Sequence, residues 1–491
     1  MEEKIMRKKI TRFLCGGLAC LTLLGTLVAC SNDDTPPVDT SNNNTVSTDA
    51  DGTDWWAELP KNNYGGATFT ILQPKEQSYE FAEGLTGDKI NDAVYKRDIQ
   101  IESTYGVDLV YMAEPGNWTN KSTFISLVRD SIMAEDDAYQ LVNGMTSIIM
   151  PLTIEGQFYN YGSLEGMDFS NPWWSADIYN NLQIADRLYA VTGSSMLSVY
   201  KGTYVMYANT ALIEQRKLTD PVELVLSGKW TLENFLKLTR EQGEDINSDE
   251  QMTEVDFYGF ISSDVTMRGF QTAFDLNLID RSSEGKLVYK GATQRYYDAV
   301  DKFKTLVTNP KDTYILKAND ISPLTSIFAA DRAIILNETI ETAETLATLC
   351  DDYVILPQPK YNEEQTDYYV QMGTSAGMFV IPITSDADMV VDIINAHGCL
   401  SYLNVVPEYY EDTLKTKYVQ VPENMEIIDL INRSIMLDVT YAHNYTVNKY
   451  QTEMFCMHTY GGTDAASHFA KFAPSMNGIL DGIYSQYAAL D

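Results

Sequence analysis

Cysteine and histidine are scarce in this chain, and basic residues are outnumbered two to one. The 491 residues include six Cys and four His, and 35 Lys and Arg stand against 69 Asp and Glu, a formal charge of -34. No C-x-x-C pair or Cys/His cluster is present, which removes the usual zinc and thiol-redox chemistries. An H-E-x-x-H helix and a P-loop are likewise missing, as is any tandem repeat of 20–50 residues. The acidity argues against nucleic acid or anionic headgroups bound through a basic face, because like charges repel. It also disfavours an anionic ligand and leaves a neutral, polar one compatible.

What is present begins with a basic start (Lys4, Arg7, Lys8, Lys9, Arg12) followed by an apolar run over 13–29. The flank, the short apolar core and the small residues at its end predict a secretory signal peptide over 1–29. Leu27-Val28-Ala29-Cys30 resembles the bacterial lipoprotein processing site, where the cysteine is acylated and becomes the mature N-terminus. The resemblance implies lipidation of Cys30 and attachment to the outer face of the bacterial cell membrane through acyl chains alone. Two chains would hold stably where one would not. Loss of residues 1–29, with five basic and two acidic side chains, takes the charge down by three to -37. Residues 31–54 are Ser, Thr, Asn, Asp and Pro with little apolar content, so a disordered tether spanning about 25–30 Å is expected.

The rest of the chain is long enough for two or three domains. Cys350, Cys399 and Cys456 remain in it, allowing at most one disulfide and leaving one thiol over. Strand and helix patterns alternate. Residues 67–72 set Phe69 and Ile71 against Thr68 and Thr70 with a period of two. Over 88–105, Ile90, Val94, Arg97, Ile101 and Tyr105 share a helical face; a strand at 107–111, a helix at 122–133 and a strand at 139–143 follow. That order predicts a parallel sheet covered by helices. A second series starts near Tyr204, with strands expected at 257–261, 333–336, 353–356 and 377–381 and helices at 293–307 and 339–349. Helices dominate from residue 386.

Several segments resemble, in order, the extracellular solute-binding proteins of ABC importers, in the branch that takes up sugars and oligosaccharides. They are Asp92-Ala93-Val94-Tyr95-x-Arg97, Leu188-Tyr189-Ala190-Val191-Thr192, Tyr204-Val205-Met206-Tyr207-Ala208-Asn209 and Gly228-Lys229-Trp230-Thr231. Asp256-Phe257-Tyr258-Gly259-Phe260, Arg332-Ala333-Ile334-Ile335-Leu336-Asn337 and Ser375-Ala376-Gly377-Met378-Phe379-Val380-Ile381-Pro382 complete the set. The resemblance implies an α/β fold of two lobes (the type II form) with a helical C-terminal part. The ligand would lie in the cleft and close the lobes about crossover strands. By that analogy residues 200–207 lead into the second lobe, 336–338 lead back, and a third crossing follows Pro382. The first lobe would be 65–199 plus 338–381, the second 208–336 plus 385–491. The implied partners are a neutral mono- or oligosaccharide and the permease subunits of an importer. The chain would work as a monomer, without catalysis, cofactor or metal.

Ligands of open α/β sheets bind outside the carboxyl ends of the strands. This singles out Gln77 and Tyr79 after the first strand, Thr146 and Ser147 after the third, and Lys201, Tyr204, Asn337 and Glu338 at the crossings. The family analogy adds Arg268 and Phe270 from the second lobe. Sugars need aromatic faces plus amides and carboxylates that pair hydroxyls, and the chain has 32 Tyr and 6 Trp. Trp173-Trp174 reads equally as a stacking platform or a docked turn, Trp118 and Trp55-Trp56 as packing, and Trp230 as a staple on the helix that Thr231 caps. His397 shares a helical face with Val390, Ile393 and Ile394, as a core histidine would. Asp245-x-Asn247-x-Asp249 with Thr253 and Asp256 approaches calcium-loop spacing. Glu250 stands where that loop needs glycine and Asp256 where it needs Glu, so a solvated acidic loop is expected. Two other readings stay open: a secreted glycoside hydrolase, needing two carboxyl groups about 5–10 Å apart, and a surface lipoprotein that binds glycans through helical repeats.

Overall fold

The computed structural model describes residues 52–410, 422–444, 446–447 and 453–490. The export segment, Cys30 and the tether up to residue 51 lie outside the described residues. In chain order the strands are β1 (Ala67–Pro74), β2 (Val107–Glu114), β3 (Leu141–Met145), β4 (Tyr204–Asn209), β5 (Tyr258–Ser263), β6 (Ile279–Arg281), β7 (Leu287–Tyr289), β8 (Thr313–Leu316), β9 (Ala333–Thr339), β10 (Tyr353–Pro357), β11 (Val370–Gln371), β12 (Gly377–Val380) and β13 (Ile435–Met436).

The first sheet has the order β12-β3-β1-β2. β1 runs parallel to β2 over its whole length and to β3, while β12 is antiparallel to β3. The helix Lys89–Tyr105 connects β1 to β2. Asp88 caps it by accepting from the N–H groups of Ile90 and Asn91, and Gly106 ends it in the left-handed region at φ 59°. The left-handed backbone is what favours glycine at 106; a Cβ there would need only the end of the Asn63 side chain, 2.8 Å away, to shift. The predicted face is buried: Val94, Arg97, Ile101 and Tyr105 point inward. Arg97 survives there because Asp98 pairs with it and the carbonyl of Glu80 accepts from its Nη2 at 2.9 Å.

The second sheet has the order β10-β4-β9-β5-β8, with β4 antiparallel to β9 and β10 and β5 parallel to β9 and β8. Its core is aromatic: Phe235, Phe260, Phe270, Phe274, Phe303 and Phe455 stand 4.5–6.4 Å apart in successive ring contacts. Gly259 permits the close approach of the neighbouring helix, since a Cβ there would lie 1.8 Å from the carbonyl oxygen of Thr239. Trp230 does staple the helix Leu232–Thr239: it is fully buried, its ring lies 6.0 Å from that of Phe235, and its Nε1 donates to the carbonyl of Pro357. Two sheets with these returns are what a helical-repeat receptor would lack.

The lobe boundaries depart from the expectation in three places. β10, assigned by the sequence to the first lobe, pairs with β4 in the second sheet, from Tyr353↔Asn209 to Pro357↔Val205. The third crossing does not follow Pro382; it lies between β11, which pairs with β13, and β12, which pairs with β3. The helix Ala387–Leu400, expected in the second lobe, packs on Lys89–Tyr105 in the first, and Asp392 on it accepts from Asn62 and the Tyr64 hydroxyl. Its periodicity announced burial but not against which sheet. His397 is indeed a core residue, edge-on to Phe379, and burial keeps it well below the usual histidine range. The run Ala387–Tyr410 is long and apolar enough to cross a membrane, yet it is mostly buried within the protein.

Other aromatics sort clearly. Trp173 and Trp174 are buried, so the docked turn and not the exposed platform is what they form. Trp55 and Trp56 pack edge-on to Trp173 and Tyr105. Trp118, expected to pack, is 40% exposed with the Lys121 ammonium 3.2 Å from its ring centre. The C-terminal helix Ala465–Ala489 spans both lobes. Phe469 near its start meets Tyr296 and His458 in the second. At its end, Tyr487 lies 2.7 Å from the Thr153 hydroxyl in the first.

Candidate functional site

Three crossings meet in hydrogen-bonding contact. The N–H of Ile340 donates to the carbonyl of Thr203 at 2.9 Å and that of Glu341 to Lys201 at 3.0 Å. The N–H of Gly373 donates to Gly202 at 3.1 Å, and Thr203 bridges to Met372. The carboxyl ends of β1 and β3 open onto this junction, where ligands of open sheets bind.

Of the predicted residues, Gln77, Thr146 and Ser147 converge here but are largely engaged by the third crossing. Gln77 Nε2 donates to the carbonyl of Ser375 at 2.7 Å. Thr146 is fully buried, and its N–H and hydroxyl both donate to Ala376. The Ser147 N–H donates to Thr374. The remaining capacity is on amides: Gln73 Nε2, Gln77 Oε1 and Asn143 Oδ1 are buried at the ends of β1 and β3 without a hydrogen-bond partner. Buried polar atoms left this way are few in native proteins and each calls for an explanation.

Tyr79 and Lys201 come together in a cavity of about 320 Å³ that Phe81, Leu197, Glu344 and Tyr409 also line. Lys201 Nζ pairs with Glu344 and lies 5.1 and 5.6 Å from the ring centres of Tyr79 and Tyr409. The helix that carries Lys201, Leu197–Lys201, starts on a buried carboxylate: Glu80 accepts from the N–H groups of Leu197 and Ser198, each at 2.8 Å. Burial raises the carboxyl of Glu341 next to this cavity; Lys201 opposes that rise and Glu344 adds to it.

On the second-lobe side, the Tyr204 hydroxyl meets that of Tyr441 at 3.0 Å, and Arg268 reaches Glu453 at 3.5 Å. Asn337 is fully buried and fully used. Its Nδ2 donates to Ser262 and Thr266, and its Oδ1 accepts from Gln358 at 2.8 Å. It holds the sheet and does not face a ligand. Phe270 is also misassigned by sequence, being fully buried at the centre of the phenylalanine cluster. Sequence reasoning missed Glu80, Glu344, Tyr409 and Tyr441. Glu344 sits one helical turn after Glu341, a readable spacing, whereas the two tyrosines arrive from helices that no local pattern connects to the crossings.

Among the described residues no group of three or more His, Cys, Asp or Glu is placed to hold a metal ion. In the 245–256 loop, Asp256 is buried and accepts from the N–H groups of Ile246 and Thr253, stitching the loop to itself. Cys350, Cys399 and Cys456 are unpaired. A larger cavity of about 730 Å³ is lined by residues of the helix Ala176–Leu182, of 366–369 and of 426–436, and none of the ten predicted residues lines it.

Glu338, at the end of β9, is 3% exposed, and its carboxyl is raised. Burial is the main cause, hydrogen bonds from Ser263 and the Thr339 N–H partly offset it, and Glu341 adds to it. The folded chain therefore holds this proton more tightly than the unfolded one. The stability it contributes is complete below the unfolded value, about 4.3, and is lost as pH rises through the folded value. Glu338→Gln should accordingly melt above the unmodified protein at pH 7 and converge with it near pH 4. An equal difference at both pH values would contradict the assignment.

No protein-family model matches the chain, and no curated protein matches it. Solved structures do. The cyclic alpha-maltosyl-1,6-maltose binding protein from Arthrobacter globiformis is similar with a TM-score of 0.55 at 12% identity, over 85% of this chain and all of that one. The galacto-N-biose/lacto-N-biose I-binding protein of a Bifidobacterium longum ABC transporter gives 0.52 at 10% identity, over 87% of this chain and 97% of that one. An ABC transporter solute-binding protein from Thermotoga lettingae, bound with alpha-D-tagatose, gives 0.51 at 12% identity, over 84% and 100%. At these identities it is the fold that is shared: the chain has the two-lobe architecture of ABC-transporter solute-binding proteins.

Proposed function

We propose that this chain is a receptor outside the cytoplasm that closes over a neutral mono- or oligosaccharide and delivers it to an ABC-transporter permease. One observation carries the reading. Next to the crossings, Tyr79, Phe81 and Tyr409 wall a cavity of about 320 Å³ that also holds Lys201 and Glu344, and buried amide atoms of both polarities at the carboxyl ends of β1 and β3 have no partner. Uncharged hydroxyls, each a donor and an acceptor, suit such groups. The similar structures named above are themselves sugar-binding proteins by description, which supports the same class of ligand.

Tyr79, Lys201, Gln77 and Tyr204 are the residues we assign to ligand contact or its immediate support, with Arg268 and Glu338 at the second-lobe edge. The first lobe is taken as 65–200 plus 377–410 and the second as 204–371 plus 422–460, with the helix Ala465–Ala489 joining them. A ligand that touches both lobes favours the closed state by its differential affinity and no more. A micromolar ligand supplies about 8 kcal/mol in all, part of which offsets closure. The protein acts as a monomer, and the acylated Cys30 with its tether keeps it within reach of the permease.

A thermal-shift panel of neutral glycans, amino acids and peptides should raise the melting temperature with glycans alone. A shift by peptides only would remove the sugar assignment, and release of reducing sugar would favour the hydrolase reading. Cys30→Ser should move the protein from the membrane fraction into the medium; retention in the membrane fraction would refute lipid anchoring.

A further inference from the structure

We infer that the C-terminal helix Ala465–Ala489 is an acid-released strap across the two lobes, docked at both ends through uncharged histidines. The inference does not depend on the ligand reading above. Four histidines serve the whole chain, and three of them, His443, His458 and His468, lie at the two ends of this one helix.

At its start, Nε2 of His458 lies 2.8 Å from Nδ1 of His468, with the ring planes at 82°. Two ring nitrogens at that distance share one proton: one donates, and the other must offer its lone pair. The Tyr296 hydroxyl lies 2.9 Å from His458 Nδ1, and the rings of Phe469 and Phe472 pack on the pair. A second proton would turn the shared contact into two cations facing each other. His468 is only half-buried, so solvent can supply that proton. Asp464, the cap of the helix, favours charge on His458, but its carboxylate also accepts from the Ser467 N–H and feels Lys304. Lys471 opposes charge on His468.

At its end, Tyr487 sits between the Thr153 hydroxyl of the first lobe, at 2.7 Å, and His443 Nε2, at 3.1 Å. His443 is 1% exposed, and its Nδ1 has no partner among the described residues. Protonation would leave a buried cation with one N–H donating to nothing, a cost that a released helix avoids. The Tyr189 ring stands 5.5 Å from that of Tyr487, and among the described residues no charged group acts on His443.

Burial holds His443 and His458 down at about 4, against an ordinary value of about 6.5, and lowers His468 as well. Between those values the docked helix binds fewer protons than the released one. Docking is therefore complete above about 6.5 and is lost as the pH falls towards 4. The carboxyls of Glu80, Glu338 and Glu341 respond in the opposite sense, because burial raises them. Acid thus loosens the strap while the crossings hold.

Hydrogen–deuterium exchange of the full chain at pH 7 and pH 4.5, corrected for the intrinsic effect of pH, tests this. Protection of the amides of 465–489 should fall at least tenfold at pH 4.5, while that of β4 and β9 does not fall. A variant carrying His443→Gln, His458→Gln and His468→Gln keeps hydrogen-bonding side chains that take up no proton, and should lose no more than twofold. Unchanged protection of the helix in the unmodified protein would overturn the inference. So would a loss shared equally by β4 and β9, or an equal loss in the variant. If the triple variant does not melt cooperatively at pH 7, His468→Gln alone carries the test. It should cut the loss over 465–472 at least threefold, and a loss equal to that of the unmodified protein would overturn the inference.

Discussion

The rest of the structure depends on a short set of backbone hydrogen bonds, those that bind three crossing segments to one another. Gly202 and Thr203 lie at their centre, accepting from Gly373 on one side and Ile340 on the other. Each lobe has its own sheet, and besides these crossings the lobes are joined by the C-terminal helix and by contacts such as Arg281 with the carbonyl of Asn181. A hinge at such crossings would concentrate torsional change in a few residues. It also explains why polar side chains gather there: the strand ends present N–H and carbonyl groups that no sheet neighbour takes up.

Charge is managed differently at the junction from elsewhere. The chain is acidic overall, and at the crossings Lys201 pairs with Glu344 and acts on Glu341, while Glu80 lies buried at the start of the helix that carries it. Burial raises two of these carboxyl groups, those of Glu80 and Glu341. Glu80 is held by two backbone N–H groups and the nearby Arg97, so its negative charge is compensated within the first lobe.

Much of the fold was legible in sequence because its signals are local. The period-two pattern at Phe69 and Ile71, the helical face of Val94, Ile101 and Tyr105, and the staple of Trp230 on the helix that Thr231 caps each depend on residues within a few positions. What failed were statements about partners. β10 reads as a strand but does not say that β4 is its neighbour, and the apolar face of Ala387–Leu400 fits either lobe. Phe270 illustrates the same limit within the site. The family analogy puts its segment at the cleft, but whether the ring turns outward or into Phe303 and Phe274 is decided by packing that the chain's order does not encode. Asn337 lies on a crossing strand as expected, and its amide is spent on Ser262, Thr266 and Gln358.

The central claim is mechanical: two lobes turn about these crossings to enclose a guest. Small-angle X-ray scattering of the chain, alone and with a saturating glycan that raises its melting temperature, measures this directly. The account predicts a smaller radius of gyration in the bound state. Identical scattering curves with the sugar demonstrably bound would contradict it.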